Sequence, residues 1–171
     1  MKSQFLIIVV MLLLISCNYV MSQASSTAAN IGIDAKVIAP ISLSNTGSVN
    51  MDFGTITRSS ISGTVTISAD GERTSTGGAS TLSSSLFSAA PFTVSGESNS
   101  NFTIALPVSD VILTKDGGTQ TMEVNFFTHN SDLVLSELGG ASFSVGATLN
   151  LDADQASGDY QGSFSVTINY Q

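Results

Sequence analysis

The chain has 171 residues, a formal net charge of −8 and charged side chains at only 11 % of positions. Thirteen acids against five bases set its surface against nucleic acid and against anionic lipid headgroups, which both call for clustered Lys and Arg. A single cysteine, Cys17, excludes an intramolecular disulfide, and a chain of this length can bury a core of one domain without one.

Residues 1–24 read as a secretory signal peptide: Lys2, an apolar run from Phe5 to Ile15, then a polar stretch ending Ser22-Gln23-Ala24. Cleavage before Ser25 would remove one base and no acid. A rival reading uses the same stretch. Leu14-Ile15-Ser16-Cys17 fits a bacterial lipobox, which would make Cys17 a lipidated first residue and the protein's tie to a membrane. A retained membrane helix is a third reading, weakened by the shortness of the apolar run. Signal cleavage and lipidation alike send residues 25–171, read as one domain, out of the cytoplasm. The destination is the periplasm, the outer membrane or the cell surface.

Residues 25–30 are small and polar, a flexible start. Ile31, Ile33, Ala35, Val37, Ala39, Ile41 and Leu43 then keep one parity, as an extended strand with one apolar face would. Pro40 cannot donate to a ladder and puts this segment at an edge or at a switch between sheets. Asn45-Thr46-Gly47 turns; Val49, Met51 and Phe53 resume the alternation up to Gly54. Residues 63–69 are a strand closed by Asp70-Gly71. Residues 72–90, rich in Ser, Thr and Gly, are expected to be a surface loop with at most one short strand. Short strands follow at Phe92–Val94, Phe102–Leu106 and Val111–Thr114, the last ending at the Asp116-Gly117-Gly118 turn. Met122, Val124 and Phe126 point inward on the next strand. Residues 128–140 read as an irregular connection with a helical turn near Leu133 to Leu138. Phe143, Val145, Ala147, Leu149 and Leu151 alternate, as do Tyr160, Phe164, Val166, Ile168 and Tyr170, and the two runs are expected to pair as a hairpin. No sustained 3.6-residue period occurs. The fold class expected is all-β, an immunoglobulin-like antiparallel sandwich of seven to nine strands.

Taken in order, several of these stretches resemble the bacterial family called domain of unknown function 4402. They are Pro40-Ile41-Ser42-Leu43, Met51-Asp52-Phe53-Gly54-Thr55-Ile56, Gly63-Thr64-Val65-Thr66-Ile67, Ala90 to Gly96, Phe102 to Pro107, Val145 to Leu149, Gly158 to Gly162 and Val166 to Tyr170. The resemblance implies an exported immunoglobulin-like sandwich and brings no catalytic residues. A more distant similarity is to spore coat protein U-type and chaperone–usher pilin subunits, exported sandwiches whose last strand also alternates and ends in Tyr.

Candidate chemistry is sparse. His129 is the only histidine, and no serine lies in a G-x-S-x-G setting, so a Ser–His–acid site has no support beyond His129 itself. With Cys17 in the leader, a Cys/His dyad or zinc cluster is excluded. Asp152, Asp154 and Asp159 could offer oxygen ligands to Ca²⁺, but the spacing is not an EF-hand, and a solvated acidic turn is the plainer account. No Trp is present to line a sugar cleft. Gly77-Gly78 and Gly117-Gly118 lack the lysine and strand-to-helix setting of a phosphate loop.

No catalytic residue, cofactor or metal is therefore expected, and the protein is read as a non-enzyme. Ile31, Ile33, Ala35 and Val37 carry the sharpest functional idea. They form either the first, edge strand of their own sandwich or a donor strand that completes a neighbour's sheet. Two functions stand: a structural or adhesive, pilin-like envelope subunit that assembles with itself or other envelope proteins through strand edges; or a monomeric envelope module that binds a glycan or protein through residues 72–90.

Overall fold

Apolar residues that alternate with Ser and Thr favour extended chain. The structure, a computed structural model that describes residues 28–171, is accordingly built of strands and turns. The strands are β1 (Ser42–Asn45), β2 (Ile56–Thr57), β3 (Gly63–Ile67), β4 (Arg73–Gly77), β5 (Ser80–Thr81), β6 (Ala90–Ser95), β7 (Phe102–Ala105), β8 (Val111–Lys115), β9 (Thr121–His129), β10 (Gly140–Leu151), β11 (Tyr160–Gln161) and β12 (Thr167–Tyr170). Nine of them have four residues or more, the top of the expected range. A 3-10 turn at Thr46–Ser48 is the sole helical element among the described residues. The chain divides into Met1–Lys36, of which residues 28–36 are described, and the unit Val37–Gln171. Residues 28–36 form neither helix nor strand and are exposed. The leader, with Cys17, lies outside the described residues.

The main sheet of the second unit runs β1-β6-β10-β9-β8-β11, entirely antiparallel, with β3 and β4 attached through β10. β10 is the spine. One of its edges pairs with β9; the other pairs with β6 as far as Val145 and with β3 from Ala147 onward. The change of neighbour falls at Gly146, where a Cβ would collide with the Ile67 carbonyl, so a side chain cannot be accommodated. β7 and β12 form a separate two-stranded sheet. It closes a sandwich over one core cluster, in which Ala90, Val94, Phe102, Leu135, Phe143 and Val145 are buried. A fully buried side chain of this size contributes about 1.5–3 kcal/mol. The second cluster is Val65, Val124, Ala147, Leu149 and Leu151; Met51, Phe53, Ala79 and Ile56 of β2 pack against it, and β2 pairs with β5 in a third, two-stranded sheet. Hydroxyl side chains on the remaining positions pair across strands: Thr64 with Thr76 at 2.7 Å and Thr66 with Thr148 at 2.9 Å.

Several expectations change. The C-terminal alternation is not one strand paired with β10: Tyr160–Gln161 pairs with β8, Thr167–Tyr170 pairs with β7, and residues 162–166 join no ladder. Parity assigns a face, not a partner, and the predicted parity of this stretch does hold, with Phe164, Val166, Ile168 and Tyr170 packed on the core. The first strand starts at Ser42, not in the thirties. Residues 49–53 form only a bridge from Asp52 to Ser88. Within the polar loop, β4 makes a full hairpin with β3. Residues 131–139 contain no helical turn. Leu133 takes φ +61°, Val134 bridges Asn101, and the Leu135 N–H donates to the Ser100 carbonyl, so this connection runs along β7. A bulge in β9, opposite β10 between Gly146 and Thr148, reverses the parity of its second half. Phe127, not Phe126, then packs on the core, while Phe126 sits at φ +50° and 76 % exposed.

Candidate functional site

The segment singled out in the sequence enters the second unit at a defined anchor. The Tyr170 hydroxyl donates to the Ala39 carbonyl at 2.8 Å and accepts the Glu97 N–H at 2.6 Å. The Ala39 N–H donates to the Glu97 carboxylate at 3.2 Å. Gly96 makes room for this, since a Cβ there would collide with the Tyr170 hydroxyl. Upstream of the anchor, residues 28–38 belong to no strand, and Ile31, Ile33 and Val37 are 85, 94 and 94 % exposed. Ala35 is exposed as well. Large apolar side chains in such a row are the unusual observation, because single exposed apolar residues are ordinary.

A second unusual feature lies beside the second core cluster. Here the main sheet floors a groove of about 1160 Å³. Its floor includes Phe92 of β6, Val111 and Leu113 of β8, Met122 of β9, and Leu149 and Leu151 of β10. Of these only Leu149 and Leu151 are buried; the other four are half-buried, where a closed sandwich would hide them. One wall is the chain from Asn50 to Ile56, the other the chain from Gln155 to Phe164.

At each wall one side chain that the sequence did not single out makes several hydrogen bonds. Arg73 of β4 donates to the Phe53 carbonyl at 3.0 Å, the Leu82 carbonyl at 2.8 Å and the Ser85 hydroxyl at 3.1 Å. Its guanidinium lies 4.3 Å from the centre of the Phe87 ring, a cation–π contact. The planar fork of five donors suits three acceptors on two loops, a use that Lys cannot copy. At the other wall, Gln155 is buried and donates to the Thr121 carbonyl at 3.1 Å and the Tyr160 hydroxyl at 2.8 Å; that hydroxyl in turn donates to the Ala156 carbonyl. A lone Arg in a Ser/Thr-rich stretch was the available signal for the first; Gln155 had none.

The remaining candidates are placed as follows. Asp152, Asp154 and Asp159 are exposed, and among the described residues no group of three or more His, Cys, Asp or Glu side chains is arranged to hold a metal. Their loop is organised by its backbone: the Asp154 N–H donates to the Ser59 carbonyl, and the Asp159 carbonyl accepts the Asp116 N–H. His129 ends β9 rather than lying in a loop. Its Nδ1 accepts the Ser131 N–H at 3.2 Å, and its ring packs edge-on against Phe143.

These features define a class: an all-β, sandwich-like domain closed by β7 and β12 over one half of its main sheet and grooved over the other. The chain belongs to the family described as Domain of unknown function (DUF4402), whose model matches residues 41–170. Comparisons with curated proteins and with solved structures found no match.

Proposed function

We propose that this protein is an exported, non-enzymatic structural subunit of the bacterial envelope that assembles pilin-like, by strand addition between copies. The observation that carries the reading is the row Ile31, Ile33, Ala35 and Val37, of one parity, exposed and outside every strand. Extended segments with alternating apolar side chains bind by adding a strand to a sheet: backbone bonds supply affinity and pockets for alternate side chains supply register. Export rests on the character of residues 1–24. The engagement of His129 with Ser131 and Phe143 supports a structural role for the one histidine.

The protein recovered from its native envelope is expected in assemblies much larger than one chain, by light scattering joined to intact mass. Its mass should correspond to a start at Ser25 or at a lipidated Cys17. Deleting residues 28–37 should leave a folded monomer. A native protein that is strictly monomeric at all concentrations refutes the proposal. The second reading, a monomeric module that binds through residues 72–90, draws on Leu86, exposed in a loop that Arg73 pins. Removing that loop would abolish binding on the second reading and leave assembly intact on the first.

A further inference from the structure

The geometry points to the outer face of the main sheet at the β9 bulge as a binding site for a neutral, extended glycan. Phe126 is its stacking platform, and the row Asn125, Thr148, Thr66 and Thr74 is its polar track. This face carries the parity opposite to both core clusters, and its use does not depend on how copies join.

Unusual features converge at the bulge. Phe126 takes φ +50°, a conformation that a bulky side chain resists, and its ring is 76 % exposed. Backbone of this kind persists where the surrounding structure enforces it, and it collects at sites of function. Here the bulge gives the core position to Phe127 and leaves Phe126 in water. The residue before it, Asn125, is half-buried, and among the described residues its amide makes no hydrogen bond. Its Oδ1 is shut away from solvent without a donor, whereas its Nδ2 is not shut away. A buried amide oxygen with no donor is rare in a native fold and calls for a reason. Turning the amide about its last torsion exchanges the two ends, so one residue can offer a ligand either a donor or an acceptor.

The register continues the site across the sheet. Asn125 is opposite Thr148, Thr148 opposite Thr66, and Thr66 opposite Thr74, a straight row over β9, β10, β3 and β4. Three steps of about 4.8 Å make a track of about 14 Å, with Phe126 at its β9 end. The spacing between strands is close to the repeat of an extended hexose chain. The Thr66 and Thr148 hydroxyls bond each other at 2.9 Å, which uses one of their two protons and leaves the other for a ligand.

The chemistry selects the ligand. An exposed ring has a negative face that attracts the weakly positive C–H face of a sugar ring. Hydroxyl and amide groups in a line beside it suit a polymer with hydroxyls at regular intervals. The row carries no charge, and the nearest charged group on its parity of β9 is the exposed carboxylate of Glu123. With the net charge of −8, that carboxylate disfavours acidic glycans and can accept from a neutral sugar's hydroxyl.

The test is affinity electrophoresis of the full exported chain in native gels containing hydroxyethylcellulose or galactomannan, both neutral, or anionic polygalacturonate. At least one neutral polymer is expected to retard the protein, and polygalacturonate is not. Phe126→Gly, which suits the backbone of the bulge, should weaken retardation at least about tenfold, and Phe126→Tyr should restore it. Asn125→Ala, which leaves the platform in place, should weaken it about threefold. Leu86→Ser, in the loop that the second reading uses, should change nothing. No retardation by either neutral polymer, equal retardation by polygalacturonate, binding that survives Phe126→Gly, or binding lost in Leu86→Ser would overturn the assignment. Smaller native assemblies for Phe126→Gly, with retardation unchanged, would give this face to a protein neighbour instead.

Discussion

Taking one oxygen atom from Tyr170 should cost more stability than its place near the C-terminus suggests. Tyr170→Phe keeps the ring, which packs on the first core cluster, and deletes both hydrogen bonds of the hydroxyl. The Ala39 carbonyl is exposed and can rehydrate, so its loss is worth about 0.5 kcal/mol. The Glu97 N–H is half-buried, its 2.6 Å bond is the shorter, and a donor left without an acceptor there costs about 1–2 kcal/mol. The sum, about 2 kcal/mol, corresponds to a fall in melting temperature of about 4–8 °C for a domain of this size. Urea unfolding should show a lower midpoint with an unchanged slope, since the exposed surface on unfolding is the same. Gly96→Ala supplies the internal check. Its new methyl group would meet the same hydroxyl, so the two changes act on one contact. In a double-mutant cycle Gly96→Ala should cost less once the hydroxyl is gone. Additivity within about 0.5 kcal/mol, or a Tyr170→Phe protein as stable as the parent, would refute the anchor as described.

Other outcomes follow from other contacts. Arg73→Ala removes three hydrogen bonds and a cation–π contact; it should destabilise by about 2–3 kcal/mol and open residues 80–88 to limited proteolysis. Arg73→Lys should not restore protection, and equal protection by Lys would mean that charge alone holds the loops. At Phe126, φ +50° is a conformation that glycine adopts freely and a β-branched residue resists. Phe126→Gly should therefore lie within about 1 kcal/mol of the parent in urea unfolding, and Phe126→Val should be less stable than Phe126→Gly; the reverse order would contradict the bulge.

Strand faces were readable from alternation wherever a strand stays regular. In β3, β6, β7 and the first half of β10 the residues of apolar parity are those that the core buries or half-buries. Reading failed where a face alone does not fix the outcome. In Met122-Glu123-Val124-Asn125-Phe126-Phe127 two phenylalanines offer both parities, and the bulge opposite Gly146 and Thr148 settles the choice. β4 was invisible because its side chains mostly meet water, so no apolar period marks it; the Asp70-Gly71 turn before it was the clue. The C-terminal run carried the right face but not its division between β8 and β7, which depends on partners far along the chain. The same limit applies to the site. The apolar row from Ile31 to Val37 stands out in the sequence, whereas the groove is formed by strands and walls that lie far apart along the chain.

The continuity of β10 bears on how a filament of such subunits would carry load. Tension entering at Ala39 would pass into β1 and across β6 to the spine, which runs from Gly140 to Leu151. The bonds from β10 to β9, β6 and β3 lie across that direction. They would be strained together, as in a lap joint, instead of giving way one after another as in a zipper. A subunit with two short, separate ladders in place of β10 would have a weak plane at its waist. The single strand that crosses both core clusters leaves none, and the change of neighbour at Gly146 puts fresh bonds into register where those to β6 end.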